Sequence, residues 1–120
     1  MRPRLIVGNW KMHKTASEAV PFVHQLAELI PASEIEVVLA PPFTALHTAG
    51  QAMPGTRPFA LGAQNLYWED SGAFTGEVSA PMLKDLGWRY VILGHSERRQ
   101  WFGDHDVGIN KKVKGAIRHV

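Results

Sequence analysis

Four short apolar runs limit what this chain can fold into. They begin near residues 5, 35, 59 and 89, and stretches of helical periodicity lie between them. Leu5-Ile6-Val7 reads as a strand. Thr15-Ala16-Ser17-Glu18 has the capping-box spacing of a helix start. Val20, Val23, Leu26, Ala27 and Ile30 then share one helical face. Pro21 interrupts that face. Proline is tolerated only near a first turn, so the helix is expected to start late or run irregularly. Ile35 to Ala40 is the second strand, closed by Pro41-Pro42, and Phe43 to Met53 the second helix. Phe59 to Ala63 is the third strand. A short helix over Ala80 to Leu86 follows, with Ser79 as N-cap and Gly87 as its stop. Arg89 to Leu93 is the fourth strand. A last helix begins at Asp104 or Asp106, and Lys111, Lys112, Lys114, Arg118 and His119 gather toward its end, where the helix dipole favours cations.

Alternation of this kind means parallel strands joined by right-handed crossovers. Two architectures use it: an open doubly wound sheet and a (β/α)8 barrel. A complete barrel takes about 250 residues. This chain has 120 residues and half the strands. Four strands cannot close a barrel, and their axis-facing side chains and outer edges would lie open.

Composition removes several function classes. There is no cysteine, hence no disulfide framework and no thiolate metal site, which fits a cytoplasmic location. The histidines lack paired ligand spacing, so no metal is expected. The net charge of +2 is spread along the chain and fits an anionic small molecule as readily as nucleic acid. Lys111, Lys112 and Lys114 read as a solvated helix end, and the tryptophans do not interleave with a basic stripe, so no nucleic-acid partner is expected. No apolar stretch approaches the roughly 20 residues of a membrane span, so no membrane partner is expected either. Gly8 to Thr15 nearly fits a phosphate-cradling loop, but His13 occupies its second glycine.

Three motifs carry chemistry: Gly8-Asn9-Trp10-Lys11-Met12 after the first strand, Gly72-Ala73-Phe74-Thr75-Gly76-Glu77 in the long connection, and Gly94-His95-Ser96-Glu97-Arg98-Arg99 after the fourth strand. In their order and spacing they resemble the triosephosphate isomerase family, along the whole chain. The resemblance implies that residues 1–120 are one segment, the N-terminal half, (βα)4, of a TIM (β/α)8 barrel, with strands five to eight absent. It implies cofactor-free interconversion of dihydroxyacetone phosphate and glyceraldehyde 3-phosphate through an enediolate, a step of glycolysis and gluconeogenesis.

By this resemblance His95 and Lys11 are catalytic, and Asn9 and Lys11 bind substrate. His95 precedes a short helix, expected over Ser96 to Phe102, whose positive end disfavours imidazolium. A neutral ring then donates a hydrogen bond to the substrate oxygens, which is the role known for the family and is implied here by the resemblance alone. Lys11 offsets charge on the enediolate, while Asn9 can instead orient Lys11 and His95. Ser96 and Glu97 are supporting residues. Glu97 is expected to pair with a cation such as Lys11, or simply to favour the helix dipole. It is not the general base, which the family places after strand six.

The connection from Asn65 to Ser79 is long enough to be functional. By resemblance it inserts into a second subunit, making a homodimer, with Thr75 approaching Asn9, Lys11 and His95 of the partner subunit. Phe74 belongs to the same interface, and Glu77 and Arg98 are candidates for an ion pair across it. Two residues depart from the family pattern. His13 replaces a common asparagine, and Asp104 replaces a frequent, longer glutamate, which implies an altered buried polar contact near the interface. The chain alone is expected to be inactive, because the base and the phosphate-gripping loops lie elsewhere. The alternative is a non-catalytic half-barrel module that self-associates to cover its open face.

Overall fold

The computed structural model describes residues 2–55 and 59–120. Four strands, β1 (Leu5–Asn9), β2 (Glu36–Ala40), β3 (Phe59–Ala63) and β4 (Tyr90–Val91), form one parallel sheet in the order β1-β2-β3-β4. The helices are α1 (Ala16–Leu29), α2 (Phe43–Ala52), α3 (Ala80–Asp85), α4 (Ser96–Trp101) and α5 (Asp106–Ile117).

A sequential strand order with crossovers of one hand puts the connecting helices on the same face. The core reflects this. Leu39 and Leu61, partners in register, pack with Ala19 and Val23 of α1, Leu46 and Ala49 of α2, Leu83 of α3 and Ala116 of α5. A doubly wound sheet would divide its helices between two faces, so that architecture is excluded. The opposite face is concave. There a Cβ built at Gly62 would meet the Val38 side chain at 2.9 Å and Tyr90 Cβ at 3.5 Å. Tyr90 donates its hydroxyl proton to Glu36 across β3 at 2.5 Å, and Arg89 pairs with the same carboxylate at 2.7 Å. The sheet is therefore a half-barrel. Its first strand is open: Leu5, Ile6 and Val7 are 46, 57 and 43% exposed. Among the described residues no helix is long and apolar enough to cross a membrane.

Local signals place the helix starts. Thr15 caps α1 through the full capping box, its hydroxyl accepting from the Glu18 N–H while Glu18 accepts from the Thr15 N–H. Ser79 caps α3 by accepting from the Met82 N–H. Pro21 behaves otherwise than expected, for α1 starts at Ala16 and runs on through it. Pro21 and Ser17 both lie on the exposed side, so the carbonyl left without its N–H partner faces water. The fourth strand is shorter than its apolar run, only Tyr90–Val91, because its ladder meets only Gly62 and Ala63, the last two residues of β3, before the chain turns away at Gly94.

Lys112 also departs from the reading of a solvated helix end. Its side chain is 8% exposed and points inward against Asp104.

Candidate active site

Register brings Asn9, Ala40, Ala63 and Val91 to one end of the sheet, the carboxyl end of every strand. The residues that follow meet there. A pocket of about 280 Å³ is lined by Asn9, Lys11, Gln64, Asn65, His95 and Glu97, among others.

Lys11 is held at three points. Its N–H donates to Asn9 Oδ1 at 2.9 Å, its carbonyl accepts from Gln64 Nε2 at 2.9 Å, and its ammonium lies 2.6 Å from Glu97 Oε1. Gln64 also donates to the Ala40 carbonyl at 2.8 Å, tying the turn to the end of β2. Trp10 anchors the preceding residue, buried with its ring edge-on to Phe22 at 5.1 Å. Between these fixed points Lys11 takes φ +55°, a left-handed conformation that costs a non-glycine residue about 1–2 kcal/mol.

His95 is the N-cap of α4, and its Nδ1 accepts from the Glu97 N–H at 3.1 Å. A ring nitrogen that accepts carries no proton, so the neutral imidazole holds its proton on Nε2. Gly94 makes this geometry possible. Its φ is +65°, and a Cβ there would come within 2.9 Å of Ile109. Only glycine escapes both the strain and the collision.

Hydrogen bonding from Lys11 holds the Glu97 carboxyl below the usual carboxylate range; burial opposes it, and the charges of Lys11 and, when protonated, of His95 add to it. A carboxylate so stabilised is a weak base. Ser96 opens α4 and is exposed, outside the pocket lining.

The long connection is closed by its own residues. Tyr67 pairs with Ser79 as an isolated parallel bridge, its N–H donates to the Val78 carbonyl at 2.8 Å, and its ring packs on Trp68 and Phe74. Gly72, at φ +141°, lies so close to Phe74 that a Cβ would strike the ring at 2.6 Å. Thr75 and Glu77 are exposed. Within the chain Arg98 donates to Asp104 at 3.1 Å. Arg98 and Glu77 line a second cavity of about 220 Å³.

Sequence reasoning missed Gln64, Asn65 and the inward turn of Lys112. One signal for Gln64 was available: it directly follows a strand end, as His95 nearly does. Asn65 and Lys112, 47 positions apart, meet only in three dimensions.

Comparison with known proteins identifies the family and the fold. The family model described as triosephosphate isomerase matches residues 4–120. A triosephosphate isomerase of Moorella thermoacetica is 54% identical over 119 residues, 99% of this chain and 47% of that protein. One of Chloroflexus aurantiacus is 56% identical over 120 residues, covering 99% of this chain and 48% of its own. The crystal structure of triosephosphate isomerase from Bartonella henselae superimposes with a TM-score of 0.89 at 36% identity, over 98% of this chain and 48% of the other. The chain spans about half the length of the curated relatives it matches.

Proposed function

This chain belongs to the triosephosphate isomerase family, and from that premise we propose that residues 1–120 form the N-terminal half of a (β/α)8 barrel enzyme. The complete barrel interconverts dihydroxyacetone phosphate and glyceraldehyde 3-phosphate without a cofactor. The observation that carries this reading is the convergence of Lys11 and His95 on one pocket at the carboxyl end of the strands. Chemistry in such barrels sits at that end.

In this mechanism the His95 Nε2–H donates to the substrate oxygens, while the Lys11 ammonium balances the negative charge that grows there. A base takes a proton from the hydroxyl-bearing carbon and leaves an enediolate with its charge on the former carbonyl oxygen; the hydroxyl proton passes from one substrate oxygen to the other, and the base returns its proton to the neighbouring carbon. The base lies beyond strand four. Glu97 is engaged by Lys11 and has no reach to the far side of a bound triose. Asn9 and Gln64 hold Lys11 in place, and Asn9 also lines the pocket where substrate binds.

The complete enzyme is a homodimer through the 65–79 connection. Thr75, Phe74 and Glu77 enter the partner, with Glu77 paired to Arg98 of the partner subunit. Met12 and Phe102, 92 and 65% exposed at the pocket, are apolar surface for such a contact to cover. The absence of cysteine fits the cytoplasm.

A second reading has one observation in its favour, the exposed Leu5, Ile6 and Val7 of β1, which a self-associating, non-catalytic half-barrel would bury. A coupled assay separates the two. The purified 120-residue chain should give no turnover, and adding the complementary half-barrel should produce it. Association without any restored activity would favour the non-catalytic module. Robust turnover by the chain alone would place the base inside this sequence and sink the proposal.

A further inference from the structure

Lys112 is a buried charged residue that the chemistry above leaves unused. It sits on α5 and is 7% exposed, although Lys111 and Lys114 beside it reach solvent. Its ammonium donates to Asn65 Oδ1 at 3.0 Å and to both Asp104 oxygens at 3.2 Å. Asp104, itself 8% exposed in its side chain, also accepts from Arg98 Nε at 3.1 Å, and its N–H donates to the Arg98 carbonyl at 3.2 Å. A buried ion pair is weak evidence for stability, because desolvation offsets most of the attraction; its better-attested use is to fix one arrangement among several.

The arrangement it fixes is visible in its neighbours. Asn65 follows Gln64, whose amide holds the Lys11 carbonyl. Arg98 follows Glu97, which holds the Lys11 ammonium and whose N–H donates to His95 Nδ1. Two short paths therefore lead from one buried ammonium to Lys11, one through the end of β3 and one through α4. We propose that Lys112 is a positioning residue, which locks α4 to the end of β3 from α5 and so sets the gap at which Lys11 and His95 face the substrate. This rests on the isomerase reading.

The test uses the complete barrel. Lys112→Met leaves Asp104 with Arg98 alone; the double variant Lys112→Met/Asp104→Asn also removes the buried carboxylate that has lost one of its two cations and should recover most of the thermal stability. If Lys112 positions, the double variant still loses kcat by roughly tenfold to a hundredfold, as small misplacements do, with little change in KM. A double variant with recovered stability and wild-type kcat overturns the proposal. A wild-type barrel inactive on triose phosphates would instead defeat the isomerase reading. The positioning role then remains readable from the Glu97 carboxyl, followed by carbon NMR. In the double variant its midpoint should rise toward the ordinary range as α4 shifts from Lys11, and an unchanged midpoint overturns the proposal. Asn65→Ala breaks a single path and carries both measurements if the Lys112 variants do not fold.

Discussion

The Lys11 ammonium lies 2.6 Å from a Glu97 carboxylate oxygen, although 86 positions separate the two residues. The contact closes the site from β1 to α4 and engages a carboxylate beside His95. It also makes the pair measurable. The hydrogen bond from Lys11 holds the Glu97 carboxyl low, so the paired form is present above the unfolded value of roughly 4.3 and is lost as pH falls through the lower folded value. Carbon NMR should find a midpoint below the ordinary range, and Lys11→Met should return it upward. Both groups are exposed enough that the pair adds little to stability.

His95→Gln tests the donor. In the complete barrel kcat/KM should fall by roughly a hundredfold or more, within the range of a positioned proton-transferring group. The thermal midpoint should change little, because the ring lies at a partly exposed strand mouth. Near-normal turnover would remove His95 from the mechanism.

Gly94→Ala should be strongly destabilising for a side chain so small. The new methyl meets Ile109 at 2.9 Å in a backbone conformation that alanine disfavours. Strain alone accounts for about 1–2 kcal/mol, and urea denaturation would measure the total. A neutral result would mean that the turn before His95 relaxes freely.

Asp104→Asn probes the buried network. Burial pushes the Asp104 carboxyl up, but hydrogen bonds and charge from Arg98 and Lys112 outweigh it and hold the group below its usual range. Its stabilising contribution is therefore complete above the unfolded value of roughly 3.9 and is lost as pH falls through the folded one. The substitution should cost about 3 kcal/mol near neutrality by leaving Lys112 short of a counter-charge. It should also flatten the acid limb of the stability curve. Melts from pH 2 to 7 decide it, and parallel curves for the two proteins would refute the assignment.

Thr75→Arg addresses the dimer. Thr75 is exposed within the chain, so the substitution leaves the half-barrel fold intact. In the proposed dimer it would push an unpaired charge into a buried contact, which is strongly unfavourable. Sedimentation at micromolar concentration should show monomer, and an unchanged dimer would mean that the connection does not dock as proposed.

Signals that act over a few residues were legible in the sequence. Thr15 and Glu18 begin α1 because the capping box spans three residues, and Ser79 begins α3 for the same reason. The third strand, Phe59–Ala63, lies where its apolar run does, and the strand–helix alternation fixed the parallel sheet. The motifs around Lys11 and His95 were readable because each is contiguous. Tertiary structure decided what depends on partners far along the chain. It drove Lys11 into a left-handed conformation between Asn9 and Gln64, and let α1 run on through Pro21. It also drew Lys112 inward to Asn65 and Asp104. Periodicity marks the solvent side of a helix by its polarity, and lysine is polar wherever it points. The carboxylate of Asp104 arrives from the α4–α5 turn and the Asn65 oxygen from 47 positions away; together they make burial of that ammonium possible, and the pairing depends on how the chain turns between α4 and α5.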